Sequence, residues 1–310
     1  VLTIGNFDGV HRGHRELISL ARREADRLTA AGVRSRVAAV TFDPPPSAVL
    51  RPESAPPRLT PLAVKARLLL EAGADEVVVL PPERELLELE AEAFFSLLRD
   101  EARVAHLVEG DNFCFGRGRR GTIDRLAEWT RSASMGLTVV SPVEVALLDM
   151  TVVGVSSSLI RQLAAWGRVR DAGICLGGPL RLVGKVVQGF RRGRTIGFPT
   201  ANLDCTGHVV PGDGVYAGRT TIEKVSYPVA LNVGPMPTFS ETLRQIEAHL
   251  IGFTGDLYGQ TIEIEVLDFL RDQRKFPDLD ALKRQLEHDV ALAGERAQDE
   301  RLLVPVGSIG

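Results

Sequence analysis

Only three cysteines, three methionines, two tryptophans and three tyrosines occur in 310 residues. Cys114, Cys175 and Cys205 are odd in number and far apart, so neither a disulfide framework nor a zinc-ligand spacing is present. A reducing cytoplasm is the expected compartment. No run of about eighteen apolar residues exists; the nearest, residues 137–155, is broken by Pro142, Glu144 and Asp149. Neither sign of charge dominates: 37 Lys and Arg against 40 Asp and Glu leave a net charge of −3. No global field therefore draws the chain to nucleic acid or an anionic membrane. No signal-peptide pattern is visible. The chain opens at Val1 inside a strand-like run without a methionine, so a few residues upstream are expected.

What is present is an ordinary globular composition, 44% hydrophobic and 25% charged, at a length that suits two domains. In the first half, strand-like runs (1–4, 35–42, 76–80, 104–109, 137–141) alternate with helical patterns (14–31, 61–73, 90–102, 123–134). That order predicts a Rossmann-like parallel sheet with helices on both faces. Helices over 158–166 and 168–176 close this domain, giving residues 1–177. After Gly177-Gly178-Pro179 the texture changes to strand-like runs at 182–187, 214–222, 227–233, 246–253 and 261–270, which predict a small antiparallel barrel or sandwich over 178–310. A terminal helix over 276–293 is expected, stopped by Gly294 and followed by a loose tail.

The first candidate site is Gly5-Asn6-Phe7-Asp8-Gly9-Val10-His11-Arg12-Gly13-His14, between the first strand and the first helix. In an open parallel sheet, ligands bind beyond the carboxyl ends of the strands, often at a helix N-terminus. His11 and His14, with Gly13 between them, can face one anion together, and Gly13 lets a phosphate approach the backbone. A charged imidazole there would favour the transition state of phosphate chemistry. Gly110-Asp111-Asn112-Phe113-Cys114-Phe115-Gly116 follows another strand at the same edge; Asn112 suits adenine or ribose, and Phe113 and Phe115 read equally as packing anchors or as ligand contacts. The arginines of the loop that follows read as a solvated basic stretch. Val155-Ser156-Ser157-Ser158-Leu159-Ile160-Arg161 offers hydroxyls, helix N–H groups and a guanidinium as a phosphate cradle, although serines at a helix start are also plain N-caps.

The second candidate site runs from Gly184 through Gly189-Phe190-Arg191-Arg192-Gly193-Arg194 into Thr195-Ile196-Gly197-Phe198-Pro199-Thr200-Ala201-Asn202. No Gly-Lys-Ser/Thr loop appears, but glycine-rich cationic backbone can wrap phosphates. Thr200 and Asn202 share a face in extended chain, and a hydroxyl with an amide oxygen suits a hydrated Mg2+ carrying nucleotide phosphates. Glu247 stands beside His249 on one face of a strand whose other face is apolar, where a carboxylate could take a proton from an alcohol.

With these motifs in hand the chain resembles the prokaryotic bifunctional riboflavin kinase/FAD synthetases. The resemblance rests on Gly-x-Phe-Asp-Gly-Val-His-x-Gly-His, Thr41-Phe42-Asp43-Pro44, Gly-x-Asn-Phe-x-Phe-Gly and Val-Ser-Ser-Ser-x-Ile-Arg in the first half. In the second half it rests on Arg-Gly-Arg-x-Ile-Gly-Phe-Pro-Thr-Ala-Asn, Asp213-Gly214-Val215-Tyr216-Ala217, Asn232-Val233-Gly234, Pro237-Thr238-Phe239, the Glu247 strand and Gly255-Asp256-Leu257-Tyr258-Gly259. It implies that the first domain adenylylates FMN to FAD with release of pyrophosphate, and that a six-stranded barrel phosphorylates riboflavin to FMN. ATP is the co-substrate of both, with Mg2+. It further implies that His11 and His14 stabilise phosphates, that Gly5, Phe7, Asp8 and Gly13 shape their loop, and that Asn112 holds the nucleotide. Ser157, Ser158 and Arg161 would grip departing phosphates. In the barrel, Thr200 and Asn202 would bind magnesium-ATP, Gly184, Arg194, Gly197 and Pro199 would border it, Glu247 would be the general base, and Arg271 would border the flavin. One departure stands out: the family carries His then Pro after Thr41-Phe42-Asp43-Pro44, where this chain has Pro45-Pro46. A kinase with a degenerate first domain and a non-catalytic flavin sensor are the competing readings. Nucleic acid and membrane are not expected partners, and self-association stays open.

Overall fold

The computed structural model describes residues 1–189, 193, 196–235 and 244–303. The chain divides into two compact units, one of Val1–Pro56 with Leu62–Glu144, the other of Pro57–Pro61 with Val145–Gly310.

The first unit is a five-stranded parallel sheet in the order β3-β2-β1-β4-β5. Its strands are β1 (Leu2–Ile4), β2 (Ala38–Phe42), β3 (Glu76–Leu80), β4 (His106–Gly110) and β5 (Gly136–Val140). β1 and most of β2 and β4 are buried on both faces, as continuous apolar runs in a parallel sheet should be. Helix α1 (Arg12–Ala30) buries Ile18, Ala21 and Ala25, a stripe at helical spacing. After it come α2 (Pro46–Leu50), α3 (Leu62–Glu71), α4 (Arg84–Leu87), α5 (Ala91–Ser96) and α6 (Ile123–Ser132). The chain winds one way from β1 to β2 and the other way from β4 to β5. Right-handed crossovers therefore put α1 and α6 on opposite faces and leave a switch point between β1 and β4.

At that switch point the β1–β4 ladder is short, with Leu2 opposite Leu107. Further along, the Glu109 side chain takes over: its Oε1 accepts from the Ile4 N–H at 2.9 Å. Glu109 is buried, and the loss of hydration pushes its carboxyl well above the ordinary value of 4.5, partly offset by that backbone N–H.

In the second unit, α7 (Ser157–Ala165) and α8 (Val169–Leu176) precede a closed antiparallel barrel, with a small hairpin, β6 (Glu144–Ala146) and β7 (Val152–Gly154), ahead of them. The barrel order is β10-β11-β12-β9-β8-β13, built from β8 (Leu180–Val187), β9 (Ala201–Asp204), β10 (Gly214–Ile222), β11 (Val225–Pro235), β12 (Arg244–Leu250) and β13 (Thr261–Arg271). Closure leaves no unpaired edge. Ile160, Leu163, Val169, Ala172 and Cys175 of the two helices share one core with Leu182, Tyr216, Leu231 and Ile264 of the barrel. Compactness thus groups 145–177 with the barrel, while the change of texture near 178 marks where its strands begin.

Helix α9 (Leu279–Gln298) packs across β10, β11 and β13. Arg271 anchors it through Asp289, with Nε to Oδ1 at 2.9 Å and Nη2 to Oδ2 at 2.6 Å, the carboxylate almost fully buried. This helix corrects the expectation of a stop at Gly294. It begins after the Asp278 N-cap, runs through Gly294 and is followed by α10 (Glu300–Leu303). Asp289, Ala293 and Ala297 are its buried residues, four apart, so packing outweighs the roughly 1 kcal/mol that an internal glycine costs. Strand β9 and the β6–β7 hairpin were not expected from the sequence. Among the described residues no helix is long and apolar enough to cross a membrane.

Glu109 gives a pH test of this unit. The unfolded chain releases the Glu109 proton near 4.5, whereas the folded chain keeps it to a higher pH. Folding then takes up a proton, and the contribution to stability present below pH 4.5 is lost as pH rises toward the folded value. Glu109→Gln keeps an acceptor for Ile4 without a titrating proton. Thermal unfolding from pH 5 to 8 should show the variant gaining on the wild type as pH rises; a constant difference would mean Glu109 is ionised in the fold.

Candidate active sites

In the sheet unit, the loop from β1 to α1 lies at the carboxyl edge, beside the switch point. Phe7 and Val10 both adopt left-handed backbone, with φ of 46° and 42°, and both side chains are fully buried. Such strain in non-glycine residues persists only where the surroundings over-determine it, and it concentrates at functional sites. Gly9 supplies a third left-handed position, φ 85°. The Phe7 ring meets His14 edge-on at 5.2 Å, and His14 stacks on His11 with ring centroids 3.6 Å apart. A Cβ on Gly5 would press on the Phe7 ring at 3.3 Å, and one on Gly13 on the His11 ring at the same distance. The two glycines are therefore what lets the rings close on the backbone. Asp8 sits in the turn at Gly9, partly buried.

His11 is the N-cap residue of α1, whose first turn carries no acidic residue. The positive end of a 19-residue helix is thus left for an anion. His14 Nδ1 is buried with no hydrogen-bond partner among the described residues. Burial, then the neighbouring His11, then Lys65 hold the His14 ring well below the ordinary 6.5. This corrects the expectation of a charged imidazole: at neutral pH His14 is a neutral ring that can offer an N–H to an incoming phosphate. Lys65 itself was missed by sequence reasoning. It is buried on α3 and donates to the carbonyls of Asn6 and Phe42 and the hydroxyl of Thr41. Its signal lay in the spacing Val64, Lys65, Leu68, Leu69, which puts a lysine inside the apolar stripe.

Asn112 stands exposed just past the end of β4, the strand next to β1. Phe115 is buried in the sheet-unit core and Phe113 packs on it at 5.5 Å, so both are packing anchors. The basic loop is closed by mutual backbone hydrogen bonds between Phe115 and Gly121, and Arg117 pairs with Glu90. Ser157, Ser158 and Arg161 fall in the other unit. There Ser156 is the N-cap of α7, accepting from the Leu159 N–H at 3.2 Å, with Ser157 and Ser158 in the first turn. Arg161 donates through Nε to the Pro57 carbonyl at 2.8 Å.

In the barrel, antiparallel register sets Glu247 directly opposite Asn202 on one side and Asn232 on the other. Ile246, Ala248 and Leu250 fill the interior, so Glu247 and His249 face outward. Asn202, Glu247 and Asn232 therefore form one polar row across β9, β12 and β11. Asn232 also accepts from Gln273 Nε2 at 2.9 Å, and Gly234 is what makes room for the Gln273 amide, since a Cβ there would collide with it. Asn232 and Gln273 were not among the expected site residues; Asn232 lay in a recognised motif without a role. Gly189 likewise admits the Asn202 amide, and Gly193, whose carbonyl caps the turn through the Ile196 and Phe198 N–H groups, lies near Thr200. Gly197 takes φ 91° in that turn, and the Pro199 carbonyl is 2.7 Å from His249 Nδ1.

Two expected contacts have structural occupations. Gly184 points into the barrel wall, where a Cβ would meet Cys205 Sγ at 2.7 Å. Arg271 gives Nε and Nη2 to Asp289 and Nη1 to the Asp272 carbonyl. Arg194 and the Pro237-Thr238-Phe239 motif lie outside the described residues. No cluster of three or more His, Cys, Asp or Glu able to hold a metal occurs among the described residues. Thr200 and Asn202 bring neutral oxygens, a donor set that fits a metal bound chiefly by a ligand's phosphates.

Comparison with known proteins bears on both units. Residues 1–152 match the family model described as FAD synthetase, and residues 176–296 the one described as riboflavin kinase. A bifunctional riboflavin kinase/FMN adenylyltransferase of Escherichia coli (strain K12) is 37% identical over 297 residues, covering 95% of this chain and 92% of the relative. The protein of the same description from Bacillus subtilis (strain 168) is 33% identical, covering 93% and 90%. A crystal structure described as a macrolide-efflux protein from Streptococcus pneumoniae superposes with a TM-score of 0.82 at 31% identity, covering 94% and 93%. On the sequence matches and on two separately packed constellations, the chain belongs to the bifunctional riboflavin kinase/FMN adenylyltransferase family.

Proposed function

We propose that the chain makes FAD from riboflavin in two ATP-dependent steps, one at each constellation. The observation that carries this reading is the coexistence of two polar sites of different chemistry in two separately packed units. One is an imidazole pair at a helix N-terminus and the other a carboxylate flanked by amides on a barrel wall.

In the barrel, the 5′-hydroxyl oxygen of riboflavin attacks the γ-phosphorus of ATP, the bond to ADP breaks, and the hydroxyl proton passes to Glu247. Asn202 and Asn232, on either side of Glu247, orient the reacting groups, and Gln273 fixes the Asn232 amide. Positioning and charge stabilisation carry such a transfer. Thr200 and Asn202 would hold Mg2+ together with the nucleotide phosphates, and the ion would offset their charge.

In the sheet unit, a phosphate oxygen of FMN attacks the α-phosphorus of a second ATP and pyrophosphate leaves. His11 and His14 donate N–H groups to phosphate oxygens, aided by the N-terminus of α1, and Gly13 keeps the approach open. Gly5, Phe7 and Asp8 shape the loop, and Asn112 contacts the nucleoside. The three cysteines are free, which suits a reducing compartment, the cytoplasm.

A time course with riboflavin, ATP and Mg2+ separates the readings. FMN should appear first and FAD after it. Glu247→Gln should slow FMN formation about 10²–10⁴-fold while FAD formation from supplied FMN persists, and His14→Asn should do the reverse. FMN accumulating without FAD in the wild type would favour a degenerate first domain and point to Pro45; no turnover at all would favour a flavin sensor.

The neutral state of His14 is testable by itself. The fold favours the uncharged ring, so protonation should occur only well below 6.5. Ring nitrogen spectra, with the His14 signal assigned from His14→Asn, should show it neutral at pH 6.5. A midpoint at or above 6.5 would return the charged imidazole to the mechanism.

A further inference from the structure

Lys65 occupies a position where an apolar residue would ordinarily serve. Helix α3 buries Val64, Lys65, Leu68 and Leu69 along one stripe, and Lys65 is 6% exposed. An ammonium taken out of water needs oxygens in its place. Three neutral ones lie within reach: the Asn6 carbonyl at 3.1 Å, the Thr41 hydroxyl at 3.0 Å and the Phe42 carbonyl at 3.2 Å. Thr41 Oγ1 gives its own hydrogen to the same Asn6 carbonyl at 3.2 Å. Two donors thus converge on one peptide oxygen, and a third contact ties it to the end of β2.

That peptide leads directly into Phe7, whose left-handed backbone turns its ring inward against His14. His14 stacks in turn on His11. A continuous path of contacts runs from the ammonium through one strained residue to both imidazoles. We propose that Lys65 is a positioning residue for adenylyl transfer: by holding the Asn6 and Phe42 carbonyls in one frame, it sets where the His11–His14 pair stands. Its charge also adds to the influences that keep His14 neutral. Thr41 is the second member of the same device. The inference rests on the adenylyltransferase reading of the sheet unit.

The test uses the full chain with Lys65→Met, Lys65→Arg and Thr41→Val. FAD formation from FMN and ATP is resolved into kcat and KM, and riboflavin phosphorylation is followed in the same preparations. Misplacing a reacting group by an ångström costs on the order of 100-fold. Lys65→Met should therefore lose about that much in kcat, with KM for FMN and ATP little changed and riboflavin phosphorylation intact. Lys65→Arg should recover part of the loss, because a guanidinium restores charge and donors in a wider planar fork. Thr41→Val should show a smaller loss in kcat.

A folded Lys65→Met protein, with wild-type unfolding and phosphorylation, that still makes FAD at the wild-type kcat overturns the proposal. So does a change confined to KM. If Lys65→Met does not fold, Thr41→Val decides, and an unchanged kcat there overturns the proposal equally. A wild-type chain that makes no FAD from FMN sinks the adenylyltransferase reading, and this inference with it, a result distinguishable from an active wild type beside an active variant.

Discussion

Burying the Lys65 ammonium costs several kcal/mol unless oxygens replace its lost water, and the oxygens that do so belong to the segments that must be held still. Because the acceptors are backbone carbonyls of the first loop and of the second strand, the requirement of the charge becomes a constraint on the backbone. The left-handed Phe7 can then persist, since relaxing it would move the adjoining Asn6 carbonyl that the buried cation demands. The histidine pair, the helix N-terminus and the glycines that let the rings close on the loop all inherit their places from this arrangement.

The barrel solves the same problem by a different route. A closed sheet needs no buried charge to fix its strands, because backbone ladders and an apolar interior already do so. Every second residue is then forced to the outer face of the wall. Register places Glu247 between Asn202 and Asn232. What remains to be fixed is the terminal helix, and there a bidentate ion pair suffices, Arg271 with the buried Asp289.

The sequence made legible what periodicity and glycine placement control. Alternation on β12 put Glu247 and His249 on one face before any coordinates, and the βαβα order predicted the parallel sheet with the His-bearing loop at its carboxyl edge. Strand β9 was not legible, because Ala201-Asn202-Leu203-Asp204 has one buried apolar residue and reads as loop. The terminal helix was cut short because Gly294 looks like a stop, although Ala293 and Ala297 continue the buried stripe. Lys65 was overlooked because a lysine on an amphipathic helix is ordinarily solvated; only its tertiary acceptors show otherwise. The charge state of His14 was misjudged for the same reason: ring stacking and desolvation are properties of the folded loop.

The two units consequently handle protons differently. Beside the buried Lys65 ammonium, two groups of the sheet unit are favoured in their neutral forms: Glu109 by desolvation, His14 by desolvation and two neighbours. Their effects on stability oppose each other. As pH falls through 6.5 the unfolded chain takes up a proton that His14 refuses in the fold, and stability declines. As pH rises above 4.5 the unfolded chain sheds a proton that Glu109 keeps, and stability declines in that direction too. The sheet unit therefore carries a pH dependence of its own, set by the groups that line its working edge. On the barrel, charges meet as ion pairs, Arg181 with Glu263 and Arg219 with Glu265. His11 is thus buried within its unit, whereas Glu247 stands on the outer face of the barrel wall, and the two constellations differ in burial as much as in side-chain chemistry.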